Sequence, residues 1–303
     1  MAEPDNWPAR MASLNQWTKR GERAPHKPLL LLYALGRLQR NEPTDVSFTE
    51  ARQPVDALLQ EFGPPRKTGS HYPFHHLASE SDLWVVSSDQ GPGSPGSNIG
   101  DLTRSNARGH LAPGFSEALS SDPAQFALVV HALLEANFPE TIHQEILDGV
   151  GIDVDQMDLT SMFRPVTRRR DPRFRAEVLR VYEHRCAVCG YDGQLGRETV
   201  GIEAAHVRWW AAGGPDEIDN AVALCSLHHK LLDRGVIGIT PDQTVAVSEH
   251  FIGHGAVADS LVLGFSGRPL LEPQRGHPQP AVEHVEWHRN EVFRSPRRHS
   301  AVA

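Results

Sequence analysis

Three cysteines and one histidine of this 303-residue chain have the residue types and spacing of metal ligands. Cys186 and Cys189 form a CxxC pair, and Cys225 and His228 form a CxxH pair further along the chain. Three thiolates and one imidazole are the donor set of a closed, tetrahedral zinc site. The alternative is two unrelated motifs, which the use of every cysteine in the chain disfavours. We therefore predict a structural Zn²⁺ that ties together the two ends of the intervening segment.

A second polar pattern lies within and just beyond that segment. It begins with EAAHV at 203–207, continues through a Gly-Pro-Asp turn and Asn220, and ends with HHKLLDRG at 228–235. This pattern resembles the HNH nuclease family, with His206, Asn220 and His229 as its H, N and H. The resemblance covers about residues 170–300. It implies a ββα-metal fold, in which a β-hairpin and a helix surround one divalent cation, and an activity that hydrolyses the phosphodiester bonds of DNA.

Simple chemistry supports roles for these residues. Phosphodiester hydrolysis needs a base that activates water and a cation that stabilises charge on the phosphate. We expect this cation to be Mg²⁺ or Mn²⁺. We predict that His206 is the base; a structural histidine is the alternative. His229 and Asp233 share a helix face at i and i+4, so both can bind the cation. His228 is rotated by about 100° and can bind zinc instead. Asn220 is expected to hold the hairpin, and thereby orient His206, by hydrogen bonding.

One position departs from the family pattern. Many HNH enzymes carry Asp or His directly before the base as a metal ligand, but this chain has Ala205 there. Glu203 lies two positions earlier, on the same face of a strand, and is the candidate replacement ligand. A water molecule is the alternative. Trp209 and Trp210 follow the base, and we interpret them as packing residues in preference to base-stacking ones.

Charge is distributed unevenly along the chain. The whole sequence has 30 Lys and Arg against 38 Asp and Glu, a formal net charge of −8, which argues weakly against a general nucleic-acid coat protein. Between Arg164 and Arg208, however, arginine exceeds the acidic residues. Five arginines precede the CxxC pair, at positions 168, 169, 170, 173 and 175. They form either a solvated charge run or a set of contacts to DNA phosphates.

Two short motifs mark the first half of the chain. HKPLLL begins at His26, and HYPFHHL begins at His71, ahead of the apolar segment Leu83-Trp84-Val85. They resemble the sulfur-binding domain of phosphorothioation-dependent restriction endonucleases, over about residues 10–145. In that family the domain precedes an HNH nuclease, which is the order seen here. The resemblance implies binding to double-stranded DNA in which sulfur replaces a non-bridging phosphate oxygen.

The resemblance also implies a shallow apolar cavity for the sulfur, built partly from Pro and Tyr. Sulfur is larger, more polarizable and less strongly hydrated than oxygen, so such a cavity favours it. Tyr72 and Pro73 are the candidates for this cavity; ordinary packing at the beginning of a strand is their alternative. The other predicted DNA-binding residues hold flanking phosphates or read bases: Arg66, Lys67, His71, His76, Arg104 and Asn106, with Arg108 beside the last two.

Helices and strands must position these residues in an α+β fold of two domains. The pattern predicts helices over 1–20, from Pro28, over 48–62 and over 123–148, and a strand at 83–87. Periodicity fades between Gly149 and Arg170. We therefore predict a sulfur-binding-type domain over 1–150, a linker over 151–168, an HNH domain over 169–296 and a disordered tail over 297–303.

Together these features predict a modification-dependent (type IV) restriction endonuclease. Since each chain has one HNH site and a double-strand break needs two cuts, we expect a homodimer. No apolar run is long enough for a membrane span and no secretory signal is visible, so the expected location is the cytoplasm. The alternatives are an HNH endonuclease that reads another mark, such as methylcytosine, and a non-catalytic zinc-stabilised DNA-binding protein.

Overall fold

The computed structural model describes residues 6–15, 22, 24–65, 68–157 and 172–298, and the chain divides into two compact units. The first unit extends to residue 168 and the second begins at 169, with residues 20–22 grouped in the second. Both units combine helices with short antiparallel strands, which confirms the predicted α+β class. Most of the predicted linker lies outside the described residues, so the predicted domain limits stay a prediction.

Helix α2 (His26–Gln39) is the centre of the first unit. Its residues from His26 to Gly36 are buried on every side, as expected for a helix that is apolar all round. Helix α3 begins with a capping box, in which Ser47 and Glu50 satisfy each other's backbone N–H groups. The helices of this unit are α1 (Trp7–Ala12), α2 (His26–Gln39), α3 (Phe48–Phe62), α4 (His71–His76), α5 (Ile99–Arg104), α6 (Pro113–Ser121), α7 (Pro123–Asn137) and α8 (His143–Val150).

A four-stranded antiparallel sheet packs with these helices. Its strands are β1 (Val46–Ser47), β2 (Trp84–Ser88), β3 (Gly91–Pro92) and β4 (Arg108–Leu111), in the order β1-β4-β2-β3. Trp84 is fully buried and lies against Gly109, where a Cβ would come within 2.2 Å of the indole ring. Glycine at this position therefore allows the largest side chain of the sheet to pack.

Three local predictions for the first unit are corrected. Tyr72 and Pro73 lie in helix α4 and not at the beginning of a strand; a proline is tolerated there because the first turn of a helix needs no N–H donor. The helix predicted over 123–148 is two helices, since Phe138-Pro139 interrupts the α conformation. The N-terminal helix is shorter than predicted within the described residues, ending at Ala12.

The second unit is built on a hairpin followed by a helix. Strands β7 (Ile202–His206) and β8 (Ala221–Cys225) pair in antiparallel register from Ile202↔Cys225 to His206↔Ala221, and α10 (Ser226–Asp233) follows β8 directly. The other elements are α9 (Pro172–Val181), β5 (Gln194–Leu195), β6 (Glu198–Thr199), β9 (Ile237–Ile239), β10 (Val245–Val247), α11 (Ala256–Leu261) and α12 (Val282–Glu291). The hairpin and helix have the predicted ββα arrangement.

The segment predicted as a disordered tail is ordered at its start. Arg297 forms a β-bridge with Ser248, and the Arg298 N–H donates to the Val247 carbonyl at 2.7 Å. A basic sequence of low hydrophobicity can thus be held by backbone hydrogen bonds and by a side-chain contact from Arg298 to the Phe251 carbonyl, which composition does not reveal. Among the described residues, no helix has the length and apolar character needed to span a membrane.

Candidate functional site

The four predicted zinc ligands converge in the second unit. The Nδ1 atom of His228 lies 3.1 Å from the Sγ of Cys225 and 3.6 Å from the Sγ of Cys186, and the Sγ atoms of Cys189 and Cys225 are 4.0 Å apart. All four donor atoms lie within 4.8 Å of one another. Over the described ranges, no other group of three or more His, Cys, Asp or Glu side chains meets this condition.

A hydrogen bond behind His228 prepares it as a ligand. Its Nε2 donates to the Leu261 carbonyl oxygen at 2.8 Å. Because a carbonyl only accepts, the proton is on Nε2 and the Nδ1 lone pair faces the cysteines. Metal-binding histidines in proteins commonly have such a partner. The buried Cys3His cluster, with one imidazole already in the correct tautomer, therefore fits the ligand set of a structural zinc ion.

The thiols interact strongly with one another. Hydrogen bonds from Cys189 and Cys225 hold the pKa of Cys186 far below that of an ordinary thiol, and the thiolate of Cys186 in turn raises the pKa of Cys189. A divalent cation bound here would hold the cysteines as thiolates, the form of cysteine that binds metals. The turn formed by Cys186 to Gly190 closes through Gly190, whose left-handed backbone (φ +75°) lets its N–H donate to the Cys186 carbonyl.

His206 ends strand β7 and is held from two sides. Its Nε2 lies 2.8 Å from Oδ1 of Asp216, and its ring stacks on Phe174 of helix α9 with centroids 4.4 Å apart and an 18° interplanar angle. Both partners of this hydrogen bond are largely shielded, with 13% and 17% of their side-chain surfaces exposed. A carboxylate at Nε2 places the ring proton there, so the lone pair is on Nδ1. Neither Asp216 nor Phe174 was among the residues predicted from sequence.

Asn220 closes the connection between the two strands. Its side-chain oxygen accepts from the Arg208 N–H at 2.8 Å, and its amide donates to the carbonyls of Arg208 and Pro215 at 3.0 Å. The fit is close at Gly214, where a Cβ would lie 1.9 Å from the Arg208 carbonyl oxygen. These contacts hold the loop that carries Asp216, so the influence of Asn220 on His206 passes through the backbone.

His229 lies between two carboxylates on the same hairpin and helix. Its Nδ1 donates to Oε2 of Glu203 at 2.6 Å, and its Nε2 lies 3.3 Å from Oδ2 of Asp233. Glu203 also accepts from Ser226 through its other oxygen at 2.6 Å, and these hydrogen bonds, chiefly that from His229, lower its pKa. Asp233 is almost fully buried. Ala205 lies in the hydrophobic core and offers no donor in this site.

This geometry separates the roles of the two carboxylates. Each oxygen of Glu203 accepts one hydrogen bond, and its contact with Nδ1 of His229 can orient the ring as an outer partner of a metal ligand does; its predicted role as a metal ligand stays a prediction. Nε2 of His229 and the buried carboxylate of Asp233 lie together and match the oxygen and imidazole donors that Mg²⁺ or Mn²⁺ accepts. The donor set on this side of the hairpin therefore fits a divalent cation bound by two protein ligands.

Aromatic and imidazole rings cluster at the second predicted site, in the first unit. Tyr72 packs on His76 with ring centroids 4.2 Å apart and meets the edge of His26 at 5.9 Å, and His76 contacts His75 at 4.7 Å. We call these four residues the ring cluster. Tyr72 is 36% exposed, whereas the neighbouring Pro73 is buried. Helix α2 brings His26 here; its position at the start of the HKPLLL motif was the sequence signal for it.

A buried ion network supports the ring cluster. Lys27, next to His26, lies 2.8 Å from Glu80, which also pairs with Arg10 at 2.6 Å. Burial opposes ionisation of Glu80, but its hydrogen bonds from Lys27 and Arg10 outweigh this and lower its pKa. The pKa of His76 is lowered by burial and by the nearby His75 and Lys27. His76 is thus neutral near pH 7, and the ring cluster is a weakly polar surface beside one fixed lysine.

The other predicted DNA-binding residues do not join this cluster. Arg104 pairs with Asp101 at 2.6 Å and Asn106 donates to Asp89 at 2.6 Å, so both are hydrogen-bonded to acids. Arg108 pairs with Asp45 in the same way. His71 begins helix α4, and its Nδ1 is buried without a hydrogen-bond partner among the described residues. Arg66, Lys67 and the arginines at 168–170 lie outside the described residues.

Two features near His206 have structural roles. Arg175, on helix α9, donates to the Ile202 carbonyl at 3.1 Å and so ties this helix to strand β7. Trp209 is buried and meets the edge of Trp287 with ring centroids 6.0 Å apart, which agrees with the packing interpretation. Arg173 is exposed on the same helix.

Two family models match the chain. Residues 5–155 match the family described as ScoMcrA-like, DNA sulfur-binding domain, and residues 186–240 match the family described as HNH endonuclease. No curated protein matches the sequence. Several solved structures are similar in fold, of which we give three.

The first is the sulfur-binding domain of SprMcrA complexed with phosphorothioated DNA, 22% identical with a TM-score of 0.44, covering 51% of this chain and 96% of that one. The second is the corresponding domain of ScoMcrA, 21% identical with a TM-score of 0.42, covering 49% and 97%. The third is the type IV phosphorothioation-dependent restriction endonuclease ScoMcrA, 19% identical with a TM-score of 0.42, covering 68% of this chain and 43% of that one.

Proposed function

We propose that this chain, which joins a ScoMcrA-like DNA sulfur-binding domain to an HNH endonuclease domain, is a restriction endonuclease that cleaves phosphorothioated DNA. The observation that carries the proposal is the presence of both domains in one chain, each with a built site: the ring cluster in the first unit and the ββα site in the second. A domain that recognises a modified backbone directs a nuclease that has little sequence preference of its own.

His206 is the general base of the proposed reaction. Asp216 and Phe174 fix its ring, so that Nδ1 takes the proton of the attacking water as the water oxygen bonds to phosphorus. The P–O bond to the leaving oxygen breaks in the same displacement, and that oxygen departs with the electron pair and takes a proton from solvent. Asp216 is a positioning residue, because it acts through His206. His229 and Asp233 would hold Mg²⁺ or Mn²⁺, which when bound supplies charge stabilisation for the phosphate and the leaving oxygen. The Cys3His cluster would hold Zn²⁺ and fix the start of α10.

Recognition of sulfur follows from the character of the ring cluster. A phosphorothioate presents a polarizable, weakly hydrated atom that loses little when it leaves water for a surface of rings. The exposed face of Tyr72, supported by His76 and His26, supplies such a surface. Lys27 lies beside it but is buried and paired with Glu80 at 2.8 Å, so the proposed preference for sulfur rests on the rings. An ordinary phosphate oxygen would lose more hydration at the same place and would gain less dispersion energy from the rings.

Cleavage of matched plasmids tests the proposal directly. Two preparations of one plasmid, with and without phosphorothioation, are incubated with the protein and Mg²⁺ or Mn²⁺. We expect linear product from the modified plasmid only. Cleavage of methylated but not phosphorothioated plasmid would favour the methylcytosine alternative. Specific binding of modified DNA with no cleavage under any divalent cation would favour the non-catalytic alternative.

The proposed break in both strands also implies two nuclease sites. Each chain has one, so we propose a homodimer on DNA. Light scattering after size exclusion, with and without modified duplex, measures this state. A protein that stays monomeric on DNA and still makes double-strand breaks would contradict the dimer and leave the nuclease assignment intact.

Replacing Tyr72 with alanine should selectively weaken binding to modified DNA. The ring contact is made with sulfur, whereas phosphate contacts elsewhere are shared by both DNAs. Fluorescence anisotropy on a phosphorothioated and an unmodified duplex of one sequence measures both affinities. We expect the difference between the two affinities to fall, with Tyr72→Phe as the control that keeps the ring. An equal loss of affinity for both duplexes would contradict the sulfur contact and indicate that Tyr72 is a packing residue.

Replacing Glu203 with glutamine should reduce cleavage by about 10- to 100-fold, the usual effect of losing the partner that orients a metal-binding histidine. The amide keeps the size of the side chain but is a weaker acceptor for Nδ1 of His229. Steady-state cleavage against Mn²⁺ concentration is the measurement. We expect the concentration needed for half-maximal rate to rise, and Ser226→Ala, which removes only the other contact of Glu203, to have a smaller effect.

A further inference from the structure

A notch in the second unit lies where two stretches of chain cover the outer edge of strand β10. Val245 exchanges backbone hydrogen bonds at 2.8 Å with Gly267 and Arg268, whereas the Val247 carbonyl accepts from Arg298 at 2.7 Å. Between these contacts a cavity of about 240 Å³ opens over Ala246. Its walls are Ser266 and Gly267 on one side and Arg297 and Arg298 on the other, and these residues with Ala246 define the notch.

The notch presents donors and no acidic side chain. None of the residues that line it is Asp or Glu. Within the described part of the chain, the Arg297 guanidinium and the Ser266 hydroxyl have no hydrogen-bond or ion-pair partner. Arg298 donates through Nη2 to the Phe251 carbonyl at 2.6 Å, but its Nε is buried with no acceptor among the described residues. A buried guanidinium N–H without an acceptor is unfavourable. Neither Arg297 nor Arg298 has an acidic partner among the described residues, so the notch carries uncompensated positive charge.

We propose that this notch binds a phosphate group of the DNA backbone, as a contact separate from the HNH residues and from the ring cluster. The guanidinium group matches the geometry of phosphate oxygens, and serine hydroxyls and backbone N–H groups are common partners of DNA phosphates. The choice of DNA as the source of the phosphate rests on the proposed function. The contact carries no sequence or sulfur preference, since it involves an ordinary phosphate.

Binding titrations over a range of salt concentrations test this proposal with the full chain. Arg297→Gln should weaken binding to an unmodified duplex about threefold and lower the slope of log affinity against log salt by about 0.9, as expected for one lost phosphate contact. The phosphorothioated duplex should lose affinity by the same factor. The fold should persist, because the bridge of Arg297 to Ser248 uses the backbone.

Matched variants separate a local contact from a general charge effect. Arg275 is an exposed arginine of the same unit outside the notch, and Arg275→Gln removes the same charge. We expect it to leave the salt slope nearly unchanged, and Arg297→Lys to retain most of the affinity. Ser266→Ala should weaken binding with no change in charge. Equal effects of Arg297→Gln and Arg275→Gln would overturn the proposal.

Calorimetric titration with inorganic phosphate distinguishes the two sources of this chemistry. If the wild-type protein gives a heat of phosphate binding that Arg297→Gln lacks, and the DNA affinity of the variant is unchanged, the notch binds a free anion. That result would overturn the DNA assignment. Dependence of DNA binding on Arg297 in a protein that cleaves no DNA would support the notch and contradict the proposed nuclease. Sulfur-dependent cleavage by a protein whose DNA binding does not depend on Arg297 would support the proposed nuclease and overturn the notch proposal.

Discussion

DNA cleavage should fall by about 10²–10⁴-fold when His206 is replaced with alanine, the usual range for loss of a general base. The substitution removes Nδ1, the atom that takes the proton from water, and leaves the Cys3His cluster untouched. It also removes a stacking contact with Phe174, so the melting temperature of the variant must be measured beside the rate. We expect affinity for phosphorothioated duplex near that of the wild-type protein.

The partner of His206 provides a matched control. Asp216→Asn keeps the size of the side chain while removing its charge, so it should reduce kcat less than His206→Ala does and leave DNA affinity unchanged. In the double variant the two effects should not multiply, because Asp216 acts only through His206. Multiplicative effects would give Asp216 an independent role. Near-normal cleavage by His206→Ala would remove His206 from the reaction.

Removing one zinc ligand should unfold the second unit. Structural zinc contributes about 10–16 kcal/mol of apparent binding free energy in small domains, comparable to the about 5–15 kcal/mol that stabilises a whole domain. Cys186→Ser should therefore contain no zinc by elemental analysis and should lose a thermal transition. Because Cys186 is fully buried, Cys189→Ser and prolonged chelation of the wild-type protein provide independent routes to the same state.

His229→Ala is the comparison for these variants. It changes the residue next to His228 but removes no atom of the Cys3His cluster, so zinc content and the thermal transition should persist while cleavage is lost. Zinc retained by the cysteine variants, or lost by His229→Ala, would show that the ligands are divided wrongly between the two metals. Cleavage by His229→Ala at the wild-type rate would remove it from the proposed catalytic pair with Asp233.

The sequence predicted those parts of the site that depend on local spacing. CxxC and CxxH place donors on a knuckle and on one helical turn, and the i, i+4 spacing of His229 and Asp233 brings their side chains to 3.3 Å. The structure also assembles the ββα hairpin and helix in the order that the pattern indicates. In each case a short stretch of backbone determines the geometry, so the neighbours in sequence are the neighbours in space.

Contacts between residues far apart in the chain could not be predicted from the sequence. Asp216 was recognised only as part of a turn, and Phe174 was not identified at all, because their contacts with His206 depend on how the loop and α9 pack on β7. Glu203 stays a candidate metal ligand; strand alternation predicts the face that it occupies but not its hydrogen bonds with His229 and Ser226. Helix α4 was missed because a proline within an aromatic run resembles extended structure.

One peptide bond joins His228, in the Cys3His cluster, to His229, in the proposed catalytic site. Neither imidazole can shift along α10 without displacing the other, so the helix couples the position of the Cys3His cluster to that of the proposed catalytic site. Oxidation of the thiols, or a chelator that removed the proposed zinc, would disturb the start of α10 and with it the contact between His229 and Glu203. The proposed nuclease would thereby be sensitive to the redox state of three cysteines that take no part in hydrolysis.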